Sequence, residues 1–215
     1  MNKYKVIILS LLISFMGASC EDWLYDNVNE DAAHEVLPQQ VLPVVLFYSA
    51  QLQFDHAEYG AYLTQTLTTG GRNQTSSFAY KSGWGDFLTM NRHPQWRRHF
   101  YDIGVNAKEI IDEAHEAQAW NLELIGRTLR LMSTQMTTDL FGDMPRSEAY
   151  ESNSPHYDTQ ESIYEWMNQE IEELIGMYED PTYTEAATNI PIDQSIDRVF
   201  AGDLNKWKPG ARMHS

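Results

Sequence analysis

The chain has 215 residues, of which 42% are hydrophobic and 12% aromatic, so it carries enough apolar material for a packed core and is not of the disordered class. Its 15 Lys and Arg residues against 31 Asp and Glu residues give a net charge of −16. Such a chain repels polyphosphates and offers few cations for counterion release, so we expect no nucleic-acid partner. A single cysteine excludes an internal disulfide bond.

The first nineteen residues have the pattern of an export signal. Lys3 and Lys5 provide a positive start, Val6 to Phe15 is an apolar run, and the small residues Gly17-Ala18-Ser19 precede Cys20. As a helix the apolar run reaches about 15 Å, half of the ~30 Å hydrocarbon core of a bilayer. We therefore interpret residues 1–19 as a signal peptide rather than a membrane span.

Cys20 is the predicted lipidation site. A cysteine directly after small residues at the end of a signal resembles the bacterial lipobox, although Gly17 stands where the usual lipobox has Leu. The resemblance implies that Cys20 is acylated and becomes the first residue of the mature chain, anchored to the membrane through its N-terminal lipid. The alternative is an ordinary secretory signal with an incidental cysteine.

Residues 20–37 are predicted to form an acidic tether, because they are rich in acids and lack sustained periodicity. Acids placed directly after the cysteine resemble the signal that carries lipoproteins to the cell surface in Bacteroidetes-type bacteria. That resemblance implies a lipid-anchored protein of the cell outer membrane that faces outside.

From Pro38 onward the pattern predicts helices almost throughout. Apolar residues on neighbouring helical rows indicate a helix beginning at Pro38, with Pro43 tolerated in its first turn. A second helix is predicted over Glu58–Thr68. The stretch Gly70 to Gly85 (GGRNQTSSFAYKSGWG) is rich in turn-forming residues and predicts a loop whose length is typical of functional loops.

Two long helices joined by a short turn are predicted to form an antiparallel hairpin. The first covers Gln95–Ala117, and the second begins near Asn121. The apolar stripe of the first comprises Trp96, Phe100, Ile103, Ala107, Ile110, Ile111 and Ala114. The stripe of the second comprises Leu122, Ile125, Leu129, Met132, Met136 and Leu140.

The second helix is predicted to end at DLFGDMP, where Gly142 suits a left-handed residue and Pro145 blocks continuation. A further amphipathic helix is predicted to open at Asp158, with Glu161 completing a capping box. Paired amphipathic helices of this size favour an all-α fold, an α-solenoid similar to tetratricopeptide arrays.

Four stretches together resemble the SusD/RagB family of outer-membrane lipoproteins. They are WRRHFYDIGVNAKEII (96–111), GRTLRLMSTQMTTDLFGDMPRSEA (126–149), YDTQESIYEWM (157–167) and DRVFAGDLNKW (197–207). The resemblance implies a SusD-like, tetratricopeptide-like helical fold on the cell surface. It further implies a protein that binds oligosaccharide or another nutrient, delivers it to a SusC-like TonB-dependent transporter, and has neither enzymatic activity nor a cofactor.

The resemblance covers only the N-terminal part of the family's usual length. We therefore expect residues 38–215 to be the N-terminal portion of a SusD-like helical domain that is incomplete at its C-terminus. In the final residues KPGARMHS, Pro209 and Gly210 are predicted to obstruct a helix. The alternative is accordingly that the protein is a truncated remnant that binds nothing.

The long loop supplies the candidate ligand-binding residues. Sugar recognition needs flat apolar faces for the ring and polar groups for the hydroxyls. The candidates are the platforms Phe78, Tyr80 and Trp84 and the hydrogen-bonding residues Arg72, Asn73 and Lys81. The alternative is a solvent loop in which Trp84 packs back onto the helices.

Other conspicuous residues are assigned structural roles. Trp96, Phe100 and Trp166 lie on or beside apolar stripes, which favours packing over ligand binding. Asp139 and Asp143 flank the Phe-Gly turn, where a carboxylate can accept hydrogen bonds from free backbone N–H groups.

An exported glycoside hydrolase is the remaining, less favoured alternative. Its two carboxylates could be any of the chain's acids, and the sequence selects no pair. Asp112, His115 and Glu116 share a helical face, but a hydrated surface is favoured over a metal site. We therefore predict no catalytic residue and no metal.

Substituting Cys20→Ala is expected to abolish incorporation of radiolabelled palmitate, because the alanine offers no thiol for acylation. The measurement is fluorography of the chain immunoprecipitated from labelled cells. Undiminished labelling of the variant would show that the lipobox interpretation is wrong.

Overall fold

The computed structural model describes residues 37–64, 66 and 94–212. The predicted signal peptide, the lipidation site Cys20, residues 20–36 of the predicted tether and the loop from Gly70 to Gly85 lie outside the described residues.

The described part of the chain is helical, which confirms the all-α prediction. Across residues 37–64, 66 and 94–212 there is no strand, and an isolated bridge pairs Met144 with Asp158. No helix in these ranges is long and apolar enough to cross a membrane. The elements are α1 (Pro38–Leu63), α2 (Pro94–Arg97), a π-helical segment (Arg98–Val105), α3 (Asn106–Glu116), α4 (Trp120–Phe141), α5 (Gln160–Glu179), α6 (Pro181–Thr184) and α7 (Leu204–Arg212).

Helix α1 runs unbroken to Leu63, so the separate helix predicted over Glu58–Thr68 is wrong. The sequence predicts Pro43 in the first turn of the helix. In the structure it lies further along, inside the helix. There it deprives one carbonyl of an N–H partner. The buried face of α1, which includes Leu42 and Val45, compensates through packing, because burying such side chains contributes about 1.5–3 kcal/mol each.

The predicted helix Gln95–Ala117 forms as one continuous helical run from Pro94 to Glu116. Its middle, however, is a π-helical segment, which the apolar spacing did not predict. Most of the predicted stripe is confirmed: Ile103, Ala107, Ile110 and Ala114 are buried, Trp96 and Phe100 pack partly buried against the core, and Ile111 is half-buried.

Helices α3 and α4 form the predicted antiparallel hairpin. Close to the turn, His115 Nδ1 lies 3.1 Å from Glu123 Oε2, and further away Gly126 packs against Ile110 and Ile111. The two helices leave little space for a larger residue at position 126, because an ideal Cβ on Gly126 would lie 3.1 Å from Ile110 Cγ2.

Helix α5 returns antiparallel along another side of α4. Thr128 bonds to Tyr178 near the end of α5 at 2.9 Å, whereas Gln160 at its start donates to the carbonyl of Thr138 at 2.7 Å. Helix α4 therefore lies at the centre, in contact with α1, the π segment, α3, α5, α6 and α7. A solenoid built from such pairs stays a prediction.

The connection from α4 to α5 begins, as predicted, at a glycine with positive φ, but its ψ lies outside the left-handed helical region that was expected. Gly142 has φ 74° and ψ −126°, a conformation with the positive φ that glycine tolerates. Asp143 accepts from the backbone N–H of Gln160 at 2.9 Å, as expected for a structural acid. Asp139 instead accepts from the hydroxyl of Tyr164, a side-chain partner.

The capping box predicted at Asp158 is wrong by one residue. The N-cap of α5 is Thr159, which accepts from the N–H of Ser162 at 3.2 Å. Asp158 is used elsewhere: its carboxylate accepts from the backbone N–H groups of Arg146 and Ser147 at 2.8 and 2.9 Å. Asp and Thr can both cap a helix. Because the backbone N–H groups of the loop occupy the carboxylate of Asp158, Thr159 is the cap.

The obstruction predicted at Pro209 and Gly210 is also wrong, because α7 continues through both to Arg212. The proline lies near the end of the helix, where losing one backbone bond affects few residues. Buried Trp207 fixes the helix to the core from the preceding turn.

Buried Asp197 anchors this last helix. Its carboxylate accepts from the backbone N–H groups of Val199, Phe200 and Gly202 at 2.9–3.1 Å, and from Trp207 Nε1 at 2.8 Å. One side chain thus satisfies four donors.

We expect Asp197→Ala to lower the free energy of unfolding by roughly 3 kcal/mol or more, since it leaves several buried donors unpaired at ~1–3 kcal/mol each. The measurement is urea unfolding of the full-length chain in detergent. Asp193→Ala removes an exposed carboxylate bonded to Ser195 and is the control, with an expected loss below ~1 kcal/mol. Equal losses in the two variants would contradict the anchoring role.

Candidate functional site

The six loop residues proposed from the sequence, Arg72, Asn73, Phe78, Tyr80, Lys81 and Trp84, lie outside the described residues. Their placement as a site stays a prediction. The candidate site described below is built from other residues.

A cleft of about 420 Å³ opens between the π segment with the start of α3 and the loop that follows α4. We call it the π cleft. Its lining residues are Phe100, Tyr101, Val105, Lys108, Ala149, Tyr150, Glu151, Ser152 and Asn153.

The close approach of the two walls depends on Gly104. An ideal Cβ on this residue would lie 1.7 Å from the hydroxyl oxygen of Tyr150 and 2.5 Å from the carbonyl oxygen of His99. Only glycine allows the Tyr150 side chain to rest on the π-segment backbone. Burial raises the pKa of Tyr150 to about 12, so its hydroxyl stays neutral well above physiological pH.

The π segment is held from beneath by buried His99. Its Nδ1 lies 2.8 Å from the hydroxyl of Ser133 on α4, and its ring packs edge-on against Phe100. Burial, aided by the charge of Arg130, lowers the pKa of His99 to about 3, so the imidazole is neutral at physiological pH. A neutral, hydrogen-bonded histidine fixes the segment without burying a charge.

The outward face of the π segment presents an aromatic ring to solvent. Tyr101 is 71% exposed and Val105 is 48% exposed, whereas Ile103 and Gly104 between them are buried. The opposite wall, Glu151 to Asn153, is polar and exposed. The π cleft therefore combines a flat apolar surface with hydrogen-bonding groups.

Lys108 is the cation among the lining residues, and carboxylates surround it. Its Nζ lies 2.5 Å from Asp112 Oδ2 and 3.8 Å from Glu151 Oε1. Only the first distance permits a hydrogen bond. Glu151 therefore keeps its carboxylate available, with its side chain 70% exposed.

A cluster around His156 closes the loop that forms the polar wall. His156 Nδ1 lies 3.1 Å from Glu148 Oε2, and its Nε2 lies 3.5 Å from Asp158 Oδ1. Hydrogen bonding to Glu148, then the charges of Glu148 and Asp158, raise the pKa of His156 and favour its protonated form.

The same cluster is not arranged as a hydrolytic centre. The Ser147 hydroxyl lies 3.3 Å from His156 Nε2, but it also donates to Asp158, with Oγ 2.9 Å from Oδ1. A nucleophilic serine must pass its proton to the histidine, whereas this proton is held by a carboxylate. The arrangement serves to close the loop.

Two other depressions fit a polar ligand less well. A groove of about 540 Å³ along α1 is lined almost entirely by apolar side chains such as Val44 and Phe47. A polar depression of about 380 Å³ includes Asn121 and Asn189, whose amides already bond to backbone. The π cleft differs from both in combining an exposed aromatic ring, Tyr101, with a run of exposed polar residues, Glu151 to Asn153.

The aromatic residues assigned to packing do pack. Trp96 contacts Phe100 and Phe141 with ring centroids 4.7 and 5.3 Å apart. Trp166 is partly buried, and the guanidinium carbon of Arg146 lies 4.7 Å from the centroid of its ring. Phe100 has a second role, since part of it also lines the π cleft.

The possible metal-ligating group at the end of α3 is engaged in ordinary surface contacts. Asp112 pairs with Lys108, and His115 bonds to Glu123. Among residues 37–64, 66 and 94–212, no group of three or more His, Cys, Asp or Glu residues is placed to hold a metal ion.

Sequence reasoning missed Tyr101, Lys108, Glu151, Ser152 and Asn153. A usable signal existed for Tyr101, because it falls off the predicted apolar stripe and an aromatic residue there must face solvent. No comparable signal marked the polar wall, since the loop is held by side-chain contacts of His156 and Asp158 with Glu148 and Ser147, which follow no helical periodicity.

Comparison with known proteins gives one family match. The family model SusD-like_2, described as starch-binding and associating with outer membrane, matches residues 54–211. Neither the curated proteins nor the solved structures include a significant match to the chain.

We expect Gly104→Ala to displace Tyr150 and to lower the free energy of unfolding by about 1–3 kcal/mol, the usual cost of overpacking. Gly176→Ala on α5 is the control, because nothing lies within 4 Å of its ideal Cβ. The control should be neutral or stabilised by up to ~1 kcal/mol. Thermal unfolding and near-UV circular dichroism measure both, and equal stability of the two variants would contradict the packing described.

Proposed function

Because the chain belongs to the SusD-like family of outer-membrane-associated, starch-binding proteins, we propose that it binds an oligosaccharide in the π cleft beside Tyr101. The observation that supports this site is the exposed ring of Tyr101, set opposite a polar wall on a rigid helical layer. Binding is the function; no chemical step is involved.

The chemistry of the two walls suits a sugar. The C–H face of a pyranose ring stacks on Tyr101, while Glu151, Ser152 and Asn153 offer donors and acceptors to the hydroxyls around the ring. The volume of about 420 Å³ falls within the range of small-ligand sites. An open cleft of this kind gives modest affinity, which suits a protein that must release its cargo.

The cellular role follows from the family and from the N-terminal sequence. The protein is proposed to be anchored in the outer membrane through acylated Cys20, to face outside on its acidic tether, and to deliver its ligand to a SusC-like TonB-dependent transporter. Supporting features are the lipobox-like GASC sequence and the acids that follow it.

The loop residues Arg72 to Trp84 are proposed as a second contact for the same ligand. A glycan longer than the π cleft needs further aromatic platforms, and this loop is rich in them. Testing Trp84 together with Tyr101 separates the two surfaces.

Two alternatives make opposite predictions. A non-binding remnant of such a protein would bind no glycan at either surface. An exported glycoside hydrolase would shorten the glycan, although no pair of carboxylates across the π cleft supports this activity and the family is one of binding proteins.

We expect Tyr101→Ala to weaken glycan binding at least fivefold, because it removes a stacking surface whose contribution is about 1 kcal/mol. Phe54→Ala on α1 is the control: the residue is similarly exposed and does not line the π cleft, so affinity should be unchanged. The measurement is isothermal titration of the full-length chain in detergent against a panel of neutral hexasaccharides.

The outcomes separate the hypotheses. If Trp84→Ala lowered the affinity for glycan and Tyr101→Ala did not, the binding site would be assigned to the loop instead of the π cleft. Absence of binding by the unmodified chain to every glycan would favour the remnant, and shortened products in chromatograms of the same incubations would favour the hydrolase.

A further inference from the structure

The charged side chains that line the mouth of the π cleft, together with Asp112 beside Lys108, carry more negative than positive charge, while the guanidinium of Arg130 lies behind the wall, 5.6 Å from the Tyr150 ring centroid. Lys108 is the cation of the lining, and it lies between the carboxylates of Asp112 and Glu151 at 2.5 and 3.8 Å. These two carboxylates together carry more negative charge than Lys108 carries positive charge. The chain as a whole has a net charge of −16.

The charged acceptor among the residues that line this cleft is the Glu151 carboxylate. Its side chain is 70% exposed, and its distance to Lys108 is too long for a hydrogen bond. A donor carried by the ligand can therefore reach it without breaking a strong existing contact. A charged donor, an ammonium group, forms a stronger bond to a carboxylate than a neutral hydroxyl does.

The exposed aromatic ring favours the same ligand group. A cation over the face of Tyr101 is attracted by the negative π surface, a contribution that adds to stacking of the sugar ring. Aromatic faces combined with carboxylates are the usual surroundings of bound ammonium groups. An acidic sugar would meet repulsion from Glu151 and no free cation among the lining residues.

From the juxtaposition of Tyr101 with the exposed carboxylate of Glu151, which is not hydrogen-bonded to Lys108, we propose that the π cleft selects glycans that carry a free, protonated amine over neutral, N-acetylated and acidic glycans. This inference rests on the proposed function and names the ligand class of the same site. The recognised unit is an amino sugar: its ring stacks on Tyr101 and its ammonium group donates to Glu151.

The test compares four β-1,4-linked hexasaccharides that differ in one substituent: glucosamine, N-acetylglucosamine, glucose and glucuronic acid. Titration of the full-length chain in detergent is run at about pH 6 and low salt, where the amine is protonated and exposed carboxylates are ionised. We expect the glucosamine hexamer to bind about tenfold more tightly than the glucose hexamer, and the glucuronic acid hexamer to bind most weakly.

The variant Glu151→Gln keeps the shape of the side chain and removes its charge. It should reduce the affinity for the glucosamine hexamer about fivefold more than it reduces the affinity for the glucose hexamer, so the preference between the two hexamers should largely disappear. The matched control is Glu172→Gln, an equal charge change at an exposed position on α5, which contributes no residue to the π cleft. Raising the salt concentration should weaken the amine preference and not the binding of the glucose hexamer.

Each outcome has a defined meaning. Equal binding of the glucosamine and glucose hexamers, or an unchanged preference in Glu151→Gln, would overturn the inference and leave the proposed glycan-binding function standing. Spermidine binding as tightly as the glucosamine hexamer would overturn the requirement for a sugar ring. If none of the four hexamers bound while a hexasaccharide of the neutral panel did, the inference would be overturned and the proposed function would stand; if no glycan of either set bound, both would fail.

Discussion

Burial of α4 from several sides is the constraint on which the rest of the structure depends. Small polar residues make it possible, because their hydroxyls bond within the helix: Thr128 to the carbonyl of Leu124 and Thr137 to that of Ser133, both at 2.8 Å. They can therefore lie in the core without unpaired groups. Ser133 also holds His99, so α4 fixes the π segment and, through it, the position of the π cleft.

The π cleft shows how a rigid inner layer supports an adaptable outer face. Its inner side is held by buried His99, whose lowered pKa keeps the imidazole neutral, and by the half-buried ring of Tyr150, which rests on Gly104. Its outer side carries the exposed ring of Tyr101 and the carboxylate of Glu151. Binding then orders exposed side chains such as those of Tyr101 and Glu151, which costs entropy and keeps the affinity modest.

The main helices were predictable because their apolar residues recur at helical spacing, as the stripe ending in Ala114 illustrates. The burial of α4 was less predictable: its second buried face contains Thr128 and Thr137, which no hydrophobic pattern marks. The π segment depends on contact between Gly104 and Tyr150, residues far apart in sequence. Tertiary contacts of this kind leave no local signal, so the candidate site emerged only from the fold.

The most direct test of the central claim, that the π cleft holds the ligand, is a crystal structure of the full-length chain with a bound hexasaccharide. We expect a sugar ring stacked on Tyr101 at about 4 Å, the usual contact distance, with substituents bonded to Glu151 or Asn153. A hexasaccharide bound elsewhere, with Tyr101 still open to solvent, would contradict the claim.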